Sequence, residues 1–304
     1  MSAIIAEGLC KSYRGIRAVS NLSFTLGSGE ILGLIGPNGA GKSSTIKMIL
    51  DFMKPDSGEI EILGGPMAEA TKNRIGYLPE EKGLYKKLRA LDQIIYLASL
   101  KGMDRATAQE RALKLLERTG MFESRRKRIK EMSKGMGQMI QLVVTITHDP
   151  ELVILDEPFS GLDPVNTERM KNIIGELRDE GKAVILSTHQ MNQVEELCDR
   201  VLMINHGSAV LYDTMPEIRR QFRKKTLTVS VDGELPDVPG VVDTRPMRDA
   251  TELVLAADTT PQAVLDQLRE RGTMINRFEI TTPTLHDIFI KLAGENDEQD
   301  LSDL

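Results

Sequence analysis

Gly36-Pro37-Asn38-Gly39-Ala40-Gly41-Lys42-Ser43-Ser44 fits the phosphate-binding pattern G-x-x-x-x-G-K-[S/T]. The stretch follows Glu30-Ile-Leu-Gly-Leu-Ile35, a short apolar run typical of a buried strand. It precedes Thr45-Ile-Lys-Met-Ile-Leu50, a run typical of a helix. Because strand, glycine loop and helix occur in the order that a phosphate loop requires, the stretch predicts a nucleotide site in an α/β fold.

The residue types of this loop suit phosphate chemistry. Gly36, Gly39 and Gly41 allow the tight bend that points backbone N–H groups at phosphate oxygens, next to a helix N-terminus that favours negative charge. Lys42 is expected to reach the β/γ-phosphates, and the Ser43 hydroxyl is expected to bind Mg²⁺. The alternative is an accidental glycine turn, which gives the bare pattern in about 1% of chains of this length.

Composition narrows the class of protein. The chain has 304 residues, 40% of them hydrophobic, which favours one large and one small domain. A net charge of −6 argues against a protein that grips nucleic acid through a basic surface. Cys10 and Cys198 have no metal-ligand spacing and are too few for a disulfide framework, which indicates a reducing compartment. Neither a signal peptide nor an apolar run of about 18 residues is evident, so a cytoplasmic protein is expected.

Arg125-Arg-Lys-Arg128-Ile-Lys130 is a local concentration of positive charge in this acidic chain. A solvated helix end is the ordinary interpretation of such a cluster. Contact with a membrane-side partner or with lipid headgroups is the alternative, and the sequence leaves both open.

The first two-thirds of the chain alternates between strand and helix patterns. Short β-like runs separated by glycine turns occupy Ile16–Phe24, Ile31–Ile35, Gly58–Leu63 and Ile75–Tyr77. Apolar residues three and four apart predict helix between Leu91 and Phe122. A strand, a charged helix and a strand follow at Leu152–Leu155, Asn166–Glu180 and Ala183–Leu186. This alternation predicts a parallel sheet with crossover helices.

The pattern changes at Phe222-Arg-Lys-Lys225. Beyond it, strands are predicted at Thr226–Val231, Glu252–Leu255 and Arg277–Ile280. A helix is predicted at Pro261–Arg271 with Thr260 as its cap, and Thr284 and Asp287 are expected to cap a last helix. We therefore expect a first domain at 1–221, with a helical subdomain at about 86–140, and an α+β domain at 222–294. The acidic tail at 295–304 is predicted to be disordered.

Leu152-Val-Ile-Leu-Asp156-Glu157-Pro158 places two carboxylates at the end of a buried strand. Asp156 suits a Mg²⁺ ligand, because open α/β sheets bind ligands at the carboxyl ends of their strands. Glu157 is placed to polarise an attacking water as general base. An acidic pair at a strand exit is by itself a weak motif, and solvated charges would explain it equally well.

Three further motifs accompany this pair: Ser160-Gly-Leu-Asp163, Ser187-Thr-His189 and Met132-Ser133-Lys-Gly135-Met-Gly-Gln138. Together with the phosphate loop they resemble the ATP-binding subunits of ABC transporters over about the first 215 residues. The resemblance implies a P-loop NTPase core of α/β class, with antiparallel β and helical subdomains, plus the small C-terminal α+β domain. ATP and Mg²⁺ are the implied cofactors.

The family's functional residues can be carried over by position. The resemblance implies that Tyr13 stacks on adenine, that Asp156 lies beside Mg²⁺ and that Glu157 is the catalytic base. His189 matches the residue that contacts the γ-phosphate, and Asp163 matches the loop that communicates across a dimer. A lone Tyr or His would more often be structural.

Ser133 and Gly135 match the family signature L-S-G-G-Q, which grips the γ-phosphate held by the other subunit. The active unit implied is a sandwich of two cassettes with two ATP molecules, and we expect two copies of this chain. Lys134 and Met136 replace the consensus Gly and Gln. A Lys near the phosphates of the partner is electrostatically tolerable, and the anchoring Ser133 and Gly135 are retained.

Glu80 is a more consequential departure from the family pattern. It lies in Gly76-Tyr-Leu-Pro-Glu80-Glu-Lys-Gly-Leu-Tyr85, at a position where the family usually has Gln. A carboxylate there would ligate Mg²⁺ or hold the water, and it would add negative charge near the phosphates.

This segment, the signature and the stretch Thr282–Ile290 resemble the exporter branch, of sodium-efflux and drug-resistance type. The resemblance implies an ATP-hydrolysing motor that sits on the inner face of the cell membrane through a separately encoded permease. One alternative is a cassette that acts on nucleic acid or ribosomes, but the long coiled coils or second cassette of such proteins are not evident. Another is a nucleotide switch with little turnover, against which Glu157 and His189 argue.

Overall fold

The computed structural model describes residues 2–81, 83–222, 226–233, 235–256, 258–281 and 283–292. The chain divides into two compact units, Met1–Met215 and Pro216–Leu304. The boundary between these two units lies six residues before the predicted domain limit at 221/222, and that limit stays a prediction. The predicted disordered tail at 295–304 lies outside the described residues.

The first unit contains nine strands within its described residues: β1 (Ser2–Tyr13), β2 (Ile16–Gly27), β3 (Ile31–Ile35), β4 (Ser57–Ile62), β5 (Ile75–Leu78), β6 (Leu152–Asp156), β7 (Ala183–Ser187), β8 (Arg200–Asn205) and β9 (Ser208–Thr214). Its helices are α1 (Lys42–Ile49), α2 (Glu69–Lys72), α3 (Ala90–Leu100), α4 (Arg105–Arg118), α5 (Lys134–Thr147), α6 (Pro164–Asp179) and α7 (Met191–Leu197). Short 3₁₀ turns occupy Phe122–Ser124 and Ile129–Glu131. The helix α8 (Met215–Gln221) follows.

A six-stranded sheet in the order β5-β6-β7-β3-β8-β9 forms the centre of this unit. Neighbouring strands from β5 to β8 run parallel, and β9 pairs antiparallel with β8. Strands β3, β6 and β7 are buried along their whole length, as their continuous apolar sequences predict for central parallel strands. The predicted parallel sheet is confirmed, and its order brings the chain segments after β3, β6 and β7 to one edge.

A second sheet, β2-β1-β4, is antiparallel. Its inward residues share one apolar cluster with the central sheet, in which Ile4, Leu22 and Phe24 join Leu32 and Ile154. The antiparallel β subdomain implied by the resemblance is therefore present and holds the phosphate loop from one side.

The predicted helical stretch between Leu91 and Phe122 forms two helices, α3 and α4. The break comes at Asp104, whose carboxylate accepts hydrogen bonds from the N–H groups of Ala106 and Thr107 at 3.1 and 3.0 Å. Ile95 and Ala98 of α3 and Ala108 of α4 form a small apolar cluster, and both helices also contact α5. None of the helices in the described segments is both long enough and apolar enough to span a bilayer.

The second unit is a four-stranded antiparallel sheet with a helix on one face. The sheet order is β11-β12-β10-β13, formed by β10 (Thr226–Val231), β11 (Val241–Pro246), β12 (Thr251–Leu255) and β13 (Ile275–Thr281). The helix α9 (Pro261–Glu270) contributes Val264 and Leu268 to an apolar core shared with Leu227, Val229 and Leu253. A last helix covers at least 285–292.

Both predicted helix caps in this unit are confirmed. The Thr260 hydroxyl accepts a hydrogen bond from Ala263 N at 3.2 Å. Asp287 N donates to Thr284 Oγ1 at 3.2 Å, while the Asp287 carboxylate accepts from Thr284 N at 2.9 Å. The sequence analysis missed β11, an edge strand whose residues 242–246 are all exposed and so give no apolar alternation.

Candidate active site

The phosphate loop connects β3 to α1 and depends on glycine at two points of close approach. Gly36 has φ 153°, and a Cβ built on it would lie 2.1 Å from the carbonyl oxygen of Ile204. Gly41 has φ 112°, and its Cβ would lie 2.4 Å from the carbonyl oxygen of Ala18. No side chain fits at either place, so the loop needs the glycines that the motif supplies.

Lys42 lies over the loop that it follows. Its ammonium donates hydrogen bonds to the carbonyl oxygens of Gly36 at 2.8 Å and Pro37 at 3.0 Å. Burial lowers the pKa of Lys42 from its ordinary value, and the carboxylates of Glu157, Asp156 and Glu80 oppose that shift. The Lys42 ammonium is thus close enough to all three carboxylates to interact with them electrostatically.

A cavity of about 460 Å³ opens between this loop and the ends of β5, β6 and β7. Its lining consists almost entirely of residues that the sequence analysis selected, namely Gly36, Pro37, Asn38, Gly39, Gly41, Lys42, Ser43, Ser44, Glu80, Asp156, Glu157, Ser160 and His189. Ser160 is the one lining residue that was not predicted as a site residue. The sheet order therefore assembles side chains from four separate segments into one site.

Asp156 is the buried acid of this cavity, with 8% of its surface exposed. Burial raises its pKa from the ordinary value, and the charges of Glu80 and Glu157 add to the effect. The nearby hydroxyl of Ser187 and the ammonium of Lys42 oppose it. A cation placed beside this carboxylate would stabilise its charged form.

Ser43, Asp156 and Glu80 offer only oxygen donors to a metal, which suits the hard cation Mg²⁺. The described part of the chain contains no cluster of three or more acidic, His or Cys side chains that could hold a metal by itself. Two carboxylates and one hydroxyl fit Mg²⁺, which is commonly held through one or two carboxylates together with substrate phosphates and water.

Glu157 is fixed in position by the segment that follows β7. His189 donates to Glu157 Oε1 from its backbone N–H at 3.0 Å, and its Nδ1 lies 2.8 Å from the same oxygen. The Thr188 hydroxyl donates to Oε2 at 3.2 Å. Glu157 itself has φ 49°, a left-handed conformation that few non-glycine residues adopt and that is concentrated at functional sites.

Tyr13 and Ala40 lie next to the cavity without lining it. The Tyr13 hydroxyl donates to Met53 Sδ at 2.8 Å and to Ser44 Oγ at 3.4 Å, so the exposed ring stands beside the end of the phosphate loop. Ala40 is buried, and its N–H donates to Pro37 O at 3.2 Å within the loop.

The signature residues Ser133 and Gly135 lie outside this cavity, as does Asp163. Ser133 caps α5, accepting from Met136 N at 3.2 Å, and Asp163 caps α6, accepting from Asn166 N at 2.9 Å. Lys134 links the two segments, because its Nζ donates to Ser160 Oγ at 3.3 Å. The chain therefore brings the phosphate loop, Glu80 and the residues after β6 and β7 together, but not the signature.

Helix α5 contacts both segments that carry acidic residues of the cavity, the one with Glu80 and the one with Glu157. Gln141, which is buried, donates from Nε2 to the carbonyl oxygens of Pro79 at 3.1 Å and Glu81 at 3.5 Å. Gln138 approaches the carbonyl oxygen of Glu157 at 3.5 Å, at the limit of a hydrogen bond. The sequence analysis missed Gln141, although a glutamine within the apolar run Met139–Val144 was a usable signal.

We expect the substitution Gln141→Leu to lower kcat for ATP hydrolysis by about tenfold with little change in KM, because the lost hydrogen bonds free the segment that carries Glu80. If Gln141 acts through Glu80, its effect should not add to that of Glu80→Ala in the double variant. Steady-state kinetics of the two single variants and the double variant checks this.

Thr147→Val is the matched control, because the buried Thr147 hydroxyl bonds only to Val143 O of its own helix among the described residues. Its kcat should stay near wild type. Full additivity of Gln141→Leu and Glu80→Ala would show that Gln141 does not act through Glu80.

Known protein families match most of the chain. The family described as ABC transporter matches residues 19–160, and the family described as the C-terminal domain of DrrA1-3-like ATP-binding proteins matches residues 214–293. A family described as an AAA domain, putative AbiEii toxin of a type IV toxin–antitoxin system, matches residues 128–195.

Individual relatives match along nearly the whole chain. The chain is 39% identical to the uncharacterised ABC transporter ATP-binding protein YhaQ of Bacillus subtilis, over 95% of this chain and 97% of that protein. It is 33% identical to the linearmycin resistance ATP-binding protein LnrL of the same organism, over 95% and 97% of the two chains. A solved structure of an ATP-binding subunit of an ABC transporter superposes with a TM-score of 0.68 at 32% identity, covering 72% of this chain and 93% of that one.

Proposed function

The chain belongs to the ATP-binding subunits of ABC transporters, which hydrolyse ATP to power transport, and from that premise we propose that two copies of it drive export through a separate membrane permease. The observation that carries the proposal is the cavity in which Glu157, oriented by His189 at 2.8 Å, faces the phosphate loop and Lys42. It offers a base, a cation and a phosphate cradle in one place.

We assign the hydrolytic roles within this cavity as follows. Lys42 and the loop N–H groups hold the β/γ-phosphates, and Tyr13 stacks on the adenine. Ser43, Asp156 and Glu80 hold Mg²⁺, which supplies charge neutralisation on the phosphates when bound. Glu157 accepts the proton of the attacking water, and His189 both fixes that carboxylate and faces the γ-phosphate.

The position of the signature supports a two-cassette site. Ser133, Gly135 and Asp163 are the sequence-selected residues that do not reach the cavity of their own chain, apart from the flanking Tyr13 and Ala40. We propose that a second copy brings its Ser133 and Gly135 to the γ-phosphate, so that two ATP molecules are held between two copies. Each phosphate loop is then completed by the other chain's α5.

Relatives support export as the direction of transport. One relative is named for linearmycin resistance, and the C-terminal family is that of DrrA-like proteins. We propose an exporter of the drug-resistance or sodium-efflux type, located on the cytoplasmic face of the membrane through its permease.

An apolar groove supports a docking place for that permease. It has a volume of about 330 Å³, and its lining includes Phe52, Tyr77, Leu97, Leu100 and His148. Phe52 and Leu100 are 68% and 62% exposed, which is unusual for large apolar side chains grouped together. Burial lowers the pKa of His148 to about 4, so the imidazole is neutral at physiological pH, and the charges in the lining come from Lys72 and Lys101 at its edge.

We expect the double variant Phe52→Glu, Leu100→Glu to keep basal ATP hydrolysis and to lose at least about tenfold of the permease-stimulated rate, because two charges would have to be buried at the interface. The assay compares purified subunit with permease complex extracted in detergent from native membranes. The matched control is Val242→Glu, Met274→Glu, at apolar side chains that are 65% and 68% exposed on the second unit. Wild-type stimulation in the groove variant would remove this docking surface from the proposal.

A further inference from the structure

Two basic segments far apart in the sequence form one surface in the first unit. Lys130 N donates to Lys86 O at 3.0 Å, and Arg89 pairs with Arg128 in an antiparallel bridge. We call the result the basic surface and define it by seven exposed cations: Lys86, Lys87, Arg89, Arg126, Lys127, Arg128 and Lys130. Only the second segment stands out in the sequence, because backbone pairing across 39 and 44 positions is not readable from local pattern.

The cations of the basic surface differ from other cations of the chain in their ion pairing. Across the described residues, no ion pair joins any of the seven cations to a carboxylate, whereas Arg74 pairs with Glu151 and Lys171 pairs with Glu168 and Glu196. The neighbouring Glu131 carboxylate instead accepts from the backbone N–H of Arg128 at 3.1 Å. Arg125 is set apart, because its guanidinium stacks on the Phe122 ring at 3.9 Å.

Seven like charges placed close together without ion pairs repel one another, which raises the free energy of the unbound protein. The chain carries a net charge of −6, so this concentration is not a reflection of overall composition. An anionic surface that covers it would remove the repulsion and release bound counterions.

The rim of the basic surface is amphipathic. Tyr85, directly before Lys86, is 53% exposed and meets the 48% exposed Tyr96 edge to face, with ring centroids 6.4 Å apart. Leu88, between the cations, is 39% exposed. Exposed tyrosines beside lysine and arginine are typical of groups that rest at the headgroup level of a membrane.

We propose that the basic surface binds the anionic headgroups of the cytoplasmic leaflet on which the transporter assembles. The inference rests on the proposed function, since only a cassette held at a membrane meets that leaflet. Seven cations spread over two paired segments can meet several headgroups at once.

Vesicle flotation tests this with the full-length protein. Vesicles of phosphatidylcholine with about one-third phosphatidylglycerol should retain the wild type at low salt, and pure phosphatidylcholine vesicles should not. Each Lys or Arg near an anionic leaflet strengthens partition by about fivefold. The variant Arg126→Gln, Lys127→Gln, Arg128→Gln, Lys130→Gln should therefore lose more than about tenfold of its binding, and Lys86→Gln, Lys87→Gln, Arg89→Gln should do the same.

The control variant Lys54→Gln, Arg105→Gln, Lys114→Gln, Arg248→Gln removes four exposed cations elsewhere and should bind vesicles like the wild type. Equal losses in control and test variants would overturn the proposal, because net charge alone would then explain binding. Two further outcomes would overturn the proposal. In the first, the wild type binds a single-stranded RNA oligonucleotide but no vesicles. In the second, the test variants bind vesicles like the wild type but no longer assemble with the permease in uncharged detergent.

Mg-ATP hydrolysis is measured on the same samples. Hydrolysis with no vesicle binding would refute the lipid surface alone, whereas absent hydrolysis would count against the proposed function.

Discussion

Replacing Glu157 by Gln is expected to lower kcat for ATP hydrolysis by about 10² to 10⁴ while ATP binding is retained. The amide keeps the shape of the side chain, and its oxygen can still accept the His189 N–H that Glu157 Oε1 accepts at 3.0 Å. What it loses is the capacity to take a proton from water. Since the nucleotide then binds without being consumed, the two-copy complex should accumulate.

Single-turnover hydrolysis and size-exclusion chromatography with Mg-ATP measure these two effects. Glu117→Gln is the control, because it makes the same change at an exposed position of α4. Near-wild-type turnover in Glu157→Gln, with monomer alone on the column, would show that another group acts as the base.

A mixture of two inactive variants is expected to recover activity. Lys42→Ala removes the cation that contacts the loop carbonyl oxygens, and Ser133→Arg blocks the signature, so each variant alone should lose nearly all hydrolysis. In a mixed dimer, the intact phosphate loop of one copy meets the intact signature of the other. A one-to-one mixture should therefore regain about a quarter of the wild-type rate, since half of the dimers are mixed and each has one complete site.

Hydrolysis rates of the single variants and of the refolded or co-expressed mixture provide the measurement. Lys47→Ala, an exposed lysine on the same helix as Lys42, should behave as wild type. A mixture as inactive as its components would contradict the composite site, provided that each variant still binds the wild-type copy.

Local patterns predicted the parts of the site that depend on neighbours in sequence. The phosphate loop, the strand that ends at Asp156 and the cap at Thr260 are each determined by a few consecutive residues, and the structure has them where expected. Glu80 departs from the family pattern, and the structure has it in the lining of the cavity together with Lys42 and Asp156. The catalytic roles of these residues stay predictions.

Features that depend on pairing between distant segments were not predictable. Gln141 contacts Pro79 across 62 positions, and the Lys86 and Lys130 segments pair across 44. Such contacts depend on the tertiary packing of distant segments, and no periodicity in either segment encodes the partner. The edge strand β11 was missed for a different reason, because it buries too little to leave an apolar alternation.

The contacts of α5 restrict how this protein can change in length during evolution. Ser133 caps the helix, and Gln138 and Gln141 contact the two acidic segments from within its first eight residues. Inserting one residue between Ser133 and Gln141 would turn the glutamine by about 100° around the helix axis and away from Pro79. Insertions and deletions among relatives should therefore be absent from this stretch, whatever each relative transports.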